Sequence, residues 1–194
     1  MRSGRGGLVI ALAGASLLVA VMIPAAAWMF FKPMRIIAPE LNGVVCAGPV
    51  CVDDIAALPT AEQLYGEGMA NVAAKLTALN RPPRAVFCST RACYRAFGGR
   101  GAGVAVFDLG IVIAPHAWQT YIVEHELIHM LQAQELGLLG RERTPIWFKE
   151  GMAFHVSDPP PGGLPDYAQG WAGQYREWEA RVGRENVWEA IRAD

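Results

Sequence analysis

Beyond its first 35 residues the sequence has no cluster of lysine or arginine. That remainder holds 13 Lys plus Arg against 18 Asp plus Glu, a net charge of −5. No basic stripe is available to neutralise a phosphate backbone, so nucleic acid is excluded as a partner. There is no internal repeat, which excludes a repeat array. The glycine-rich stretch 98–103 lacks the Lys-Ser/Thr ending of a phosphate-binding loop and reads as a turn. Charge is scarce altogether: 18% of the 194 residues are Asp, Glu, Lys or Arg, against 53% apolar. That balance is too apolar for a simple soluble domain.

The excess is concentrated at the start. Residues 8–31 contain no charged side chain, with Arg2 and Arg5 before them and Lys32 and Arg35 after. At about 1.5 Å per residue, a helix of that length crosses a bilayer core of about 30 Å. In a membrane anchor the whole run spans, with Trp28 at an interface. In a cleaved signal the run stops near Ile23 and the chain is cut after Ala25-Ala26-Ala27. Trp28-Met29-Phe30-Phe31 prolongs the run past that cut and favours the anchor. The expected division is a membrane segment over residues 1–35 and a domain over 36–194. The lipid bilayer is then a partner through residues 8–31, with the domain on the extracytoplasmic side, or secreted if cleavage occurs near Ala27.

Cysteine is also sparse, and its four copies form two matched local pairs, Cys46-Ala-Gly-Pro-Val-Cys51 and Cys88-Ser-Thr-Arg-Ala-Cys93. Four cysteines behind a translocation signal read as disulfides, with three connectivities available. The equal spacing favours Cys46–Cys51 and Cys88–Cys93. A four-cysteine zinc site is the rival, although structural zinc uses tighter C-x2-C knuckles.

Proline and glycine punctuate residues 36–59, which read as irregular. Thr60-Ala61-Glu62-Gln63 has the form of a capping box for a helix over 61–79. Residues 84–88 are a strand candidate. Residues 104–115 are β-branched and apolar and read as a strand, or as a hairpin broken at Asp108-Leu109-Gly110. A helix over 118–136 follows, apolar nearly all round and therefore buried, ending at Gly137 or Gly140. Thr144-Pro145 reads as a cap with proline at the first helical position, opening a helix to about His155. After a proline-rich loop over 157–165, residues 168–191 read as a final helix with Trp171, Trp178 and Trp188 as packing residues. Helices mixed with a few strands point to an α+β domain.

His125-Glu126-Leu127-Ile128-His129 places two imidazoles at i and i+4, one above the other on one helix face, which suits two nitrogen ligands of one Zn²⁺. Glu126 lies about 100° around the helix from His125 and can reach a water at the metal without ligating it. A third ligand is needed. Glu150, 21 residues beyond His129, lies in a helix among Trp147, Phe148 and Met152, where a carboxylate is costly unless it meets a cation.

An HExxH motif followed by a W-F-x-E-G-x-A segment (Trp147 to Ala153) resembles the gluzincin zinc metallopeptidases, across residues 121–157. The resemblance implies a zincin-like single domain with a small mixed sheet and a buried HExxH helix. It makes His125, His129 and Glu150 the zinc ligands and Glu126 the general base of peptide hydrolysis, with a peptide or protein as substrate. It also implies that the strand before the motif helix, here within residues 104–114, is an edge to which an extended peptide pairs. Four residues after Glu150, where thermolysin-like members carry an aspartate, this chain has Phe154. His155, Tyr167 and Tyr175 are the candidate oxyanion donors by location. The alternative function is a zinc-binding module of little or no activity, tethered to the membrane for partner binding or envelope assembly.

Overall fold

The runs Ala-Val-Phe at 85–87 and Ile-Val-Ile at 111–113 are continuously apolar, as strands covered on both faces must be. They lie side by side at the centre of a mixed sheet. Its strands are β1 (Val45–Ala47), β2 (Val50–Val52), β3 (Arg84–Phe87), β4 (Gly103–Val106) and β5 (Gly110–Ile113), in the order β1-β2-β3-β5-β4. Strands β2, β3 and β5 are parallel, and the outer strands β1 and β4 each run antiparallel to their neighbour. The helices are α1 (Leu58–Lys75), α2 (Arg91–Ala96), α3 (Thr120–Arg143), α4 (Ile146–Val156), α5 (Asp166–Val182) and α6 (Val187–Ala193). The domain is therefore α+β. This computed structural model describes residues 31–193. The expected membrane segment, apart from residues 31–35, lies outside the described residues, among which no helix is long and apolar enough to cross a membrane.

Helices α1 and α3 pack on each other and on the sheet, with α3 against β4 and β5. Leu127, Ile128 and Leu131 of α3 are fully buried, as are Phe87, Ile111 and Ile113 of the sheet. Beyond α3, α4 and α5 form the most intimate helix pair. The Cβ of any other residue at Gly151 would come within 2.3 Å of the Trp171 carbonyl oxygen, so only glycine lets the helices approach this closely. The closeness serves α4 against α5. Phe148 sits at the centre of an aromatic group, with ring centroids 5.4 Å from Trp178 and 6.2 Å from Trp188, which agrees with the packing role read for those tryptophans. One buried charge ties three helices together. Glu124, 1% exposed, accepts from Lys75 Nζ at 2.7 Å, and Lys75 also donates to the Val156 carbonyl at 2.9 Å. A charge so placed is tolerable only because it is paired.

The cysteines are joined as expected, Cys46–Cys51 across the β1–β2 hairpin and Cys88–Cys93 across the entrance to α2. Residues 104–115 form a hairpin rather than one strand, and it breaks at residues 107–109, one residue earlier than expected, with Gly110 already in β5. Several boundaries differ. Residues 36–59 hold the β1–β2 hairpin, whose three-residue strands are too short to show a period. Helix α1 starts at Leu58, not after Thr60, because the chain enters it from a 3-10 turn already capped by Asp54, which accepts from the Ala56 N–H at 3.0 Å. Thr144 does not cap α4; its hydroxyl donates backward to the Arg141 carbonyl at 2.7 Å. Helix α3 breaks at Gly137 (φ 70°, ψ 161°) and resumes for a further turn. The final helical segment is two helices, parted at Gly183 (φ 83°). Helix α2 was not foreseen, and is held at its start by Thr90, whose hydroxyl accepts from the Cys93 N–H at 3.1 Å.

Gly151→Ala should destabilise the domain by about 1–3 kcal/mol, the usual cost of overpacking. Urea denaturation of both forms measures it, and an unchanged midpoint would contradict the close contact of α4 with α5.

Candidate metal centre

Helix α3 runs through the interior, so its one polar ridge must be satisfied within the domain. That ridge carries His125, His129 and Gln132. Helix α4 lies beside it and presents Glu150. His125 Nε2 and His129 Nε2 are 3.2 Å apart, and Glu150 Oε2 lies 3.6 Å from the first and 3.5 Å from the second. A point equidistant from three atoms so spaced lies about 2 Å from each, which is the length of a zinc–nitrogen or zinc–oxygen bond. His125, His129 and Glu150 therefore form a group that could hold a metal ion, and the donor set fits a divalent cation.

Gln132 was missed in the sequence, and it organises the centre. The side chain is fully buried. Its Nε2 donates to the Lys149 carbonyl at 2.8 Å, and because that carbonyl can only accept, the amide oxygen must face the other way. There it lies 2.9 Å from His129 Nδ1. Nδ1 therefore carries the proton, and Nε2 turns a lone pair to the shared point. One side chain thus orients the His129 ring on α3 and the peptide bond preceding Glu150 on α4. The only signal in the sequence is its i+3 offset from His129. His125 is held differently. Its ring packs on Phe154, with centroids 4.4 Å apart.

The electrostatics suit a cation. Burial acts to raise the Glu150 carboxyl, but hydrogen bonds and charge from His125 and His129 outweigh it and hold the group well below the usual range. Burial acts to lower His129, and the hydrogen bond and charge of Glu150 reverse it, so this imidazole binds protons more tightly than usual. Each group answers the other in the absence of an ion. Lys149 pairs with Glu142 at 3.7 Å rather than with Glu150.

Glu126 lies on the neighbouring face of α3, 6% exposed, against the inner side of β4. A Cβ at position 103 would come 2.6 Å from its Oε1, so glycine at the start of β4 makes room for the carboxylate. Burial raises its pKa, opposed by the nearby histidines and by a hydrogen bond from the Ala105 backbone. The Ala114 N–H donates to the Ala102 carbonyl at 2.9 Å. By the alternation of an antiparallel ladder, Val104 and Val106 then bond to β5 while the backbone groups of Gly103 and Ala105 turn outward.

These elements enclose a cleft of about 560 Å³, with Gly103, Ala105, Tyr121, Phe154 and Tyr167 among its walls. Of the three oxyanion candidates only Tyr167 reaches it. Tyr175 is fully buried and donates to Glu179 at 3.2 Å, and His155 Nε2 lies 3.4 Å from the same carboxylate. Both belong to a network behind the site that Arg184 completes, its Nε donating to Glu179 at 2.7 Å. Comparison of the chain with family models, curated proteins and solved structures finds no match in any of the three.

Gln132→Leu keeps the volume but frees both the His129 ring and the Lys149 carbonyl. Affinity for a divalent cation should fall about 10- to 100-fold, the usual cost of losing a group that orients a metal ligand. Competition with a chromophoric chelator reads this directly, and an undiminished affinity in a folded variant would remove Gln132 from the centre.

Proposed function

We propose that this chain is a zinc-dependent peptidase of the gluzincin type, with His125, His129 and Glu150 as ligands and Glu126 as general base. The observation that carries the reading is the convergence of two imidazole nitrogens and one carboxylate oxygen on a single point, with a second, buried carboxylate close by and a sheet edge alongside. Zinc is preferred over harder cations because imidazole nitrogen dominates the donor set. A purely structural site has no use for a base, and three protein ligands are the number that leaves a coordination position open.

Zinc in such a site acts as a Lewis acid that polarises a carbonyl and acidifies water. The side chains divide the remaining work. Glu126, made more basic by burial, accepts a proton from the attacking water and returns it to the leaving amine. The outward backbone groups of Gly103 and the outward carbonyl of Ala105, whose N–H Glu126 already accepts, offer an extended peptide a strand to pair with. That pairing brings a substrate carbonyl past Glu126, because Gly103 is the residue against which its carboxylate lies. Tyr167, at the opposite wall, is the donor available to a developing oxyanion.

A second reading, a zinc-binding module without hydrolytic activity, draws on Phe154. An aromatic ring holds His125 in place sterically but cannot accept its proton, which leaves the metal more weakly supported on that side.

Two measurements on the purified protein separate these. Elemental analysis should find one zinc per chain, and incubation with a peptide library should yield cleavage that a chelator abolishes. Glu126→Gln should then retain its zinc and lose hydrolysis by at least about 10²-fold, the lower end of what a positioned base contributes. Unaltered turnover in that variant would end the mechanism, and zinc without any cleavage by the natural chain would favour the second reading.

A further inference from the structure

The tip of the β4–β5 hairpin is built in an unusual way. Phe107 begins the three-residue turn, closed by the Leu109 N–H donating to the Val106 carbonyl at 3.0 Å. Its φ is 51°, a region that glycine or asparagine occupies readily and a bulky side chain only at a cost. Phenylalanine there is also 39% exposed, so burial within the domain does not account for it. Its ring meets that of Phe31, with centroids 6.0 Å apart, and Phe31 is itself 46% exposed. Phe31 is the last residue of the uncharged run over residues 8–31. The hairpin tip therefore stands where the apolar leader joins the domain.

The charges around the tip are mostly paired. Lys32 is exposed immediately after Phe31, whereas Arg35 donates to the Ala96 carbonyl at 2.8 Å. Arg81 donates to the Asp108 carbonyl and carboxylate, both at 3.0 Å. Arg141 reaches the Phe107 carbonyl at 3.5 Å and also pairs with Glu142 at 2.9 Å. The exposed cationic side chains Lys32 and Arg81 thus flank an exposed aromatic pair. Aromatic rings flanked by cationic groups suit the boundary between acyl chains and anionic headgroups.

We propose that Phe31 and Phe107 form a membrane-docking surface that seats the domain on an anionic bilayer, hairpin tip inward. The occupant is the lipid interface, because a leader long enough to span a bilayer ends on the same patch. The seating fixes the orientation of the domain. The turn lies at the amino-terminal ends of the parallel strands, so this pole faces the lipid and the opposite pole, where Ile55 follows β2, faces away. Gly103 stands four residues before Phe107, about 13 Å along a strand, which holds the candidate metal centre close to the headgroups. The docking itself is independent of the peptidase reading.

The full chain, reconstituted into phosphatidylcholine vesicles containing phosphatidylglycerol, tests this by spin-label accessibility. A nitroxide is placed through Phe107→Cys, Phe31→Cys or Ile55→Cys in separate preparations. Labels at 107 and 31 should collide with lipid-soluble oxygen several-fold more often than with a water-soluble nickel chelate. The label at 55, also exposed but at the far pole, should show the reverse. Position 31 guards against a label at 107 distorting its own turn. Equal nickel accessibility at all three positions overturns the proposal. So does dipolar broadening between labels at 107, which would mean that a second copy of the chain covers the tip.

Discussion

Three donor atoms from two helices meet at one point inside a space of low polarity, and that meeting constrains the rest of the domain. Two imidazole lone pairs and a carboxylate brought within hydrogen-bonding distance of one another are stable only around positive charge. Glu150 and His129 answer one another, the carboxyl held well below its usual range and the imidazole above its own. A divalent cation answers the same demand with better geometry. The cost of assembling such a group is met by scaffolding around it: the Lys75–Glu124 pair, the Gln132 bridge and the close seat of α4 on α5. Each fixes one helix of the pair in position before any ligand arrives.

The sheet contributes through its edge. Strand β4 is antiparallel in an otherwise largely parallel sheet, and it presents outward backbone groups at the two residues nearest Glu126. An unpaired edge is usually an aggregation hazard. Here α3 lies beneath it and a cleft beside it, so the exposed groups face a confined volume rather than open solvent. The absence of a side chain at Gly103 and the buried carboxylate of Glu126 are one feature seen from two sides.

The ligand set was legible in the sequence because a helix fixes the geometry of i and i+4 whatever surrounds it. Glu150 was legible for a different reason, its aromatic neighbours marking it as a carboxylate in an apolar setting. Gln132 and Gly103 were not legible. What each does is defined by a partner distant in the chain, Lys149 for one and Glu126 for the other, and neither local propensity nor spacing encodes that. The expected caps at Thr60 and Thr144 failed for a related reason. A hydroxyl near a helix start has several backbone groups to choose from, and the preceding turn decided the choice. The β1–β2 hairpin was hidden by its length, since three residues show no period. Its clearest trace was the matched pair of cysteines that it joins.

Those two disulfides carry a further implication. Each closes a loop of about six residues, which by loop entropy alone contributes about 2 kcal/mol and restricts little of the unfolded chain. Neither ties one layer of the domain to another, so the long-range architecture is carried by the apolar core and the buried charge pairs. The bridges act instead as local stiffeners at two turns. Cys93 precedes Tyr94, whose hydroxyl donates to the Arg100 carbonyl at 2.8 Å in the loop that delivers the chain to Gly103. The second bridge therefore stiffens the turn from which the chain approaches the edge strand.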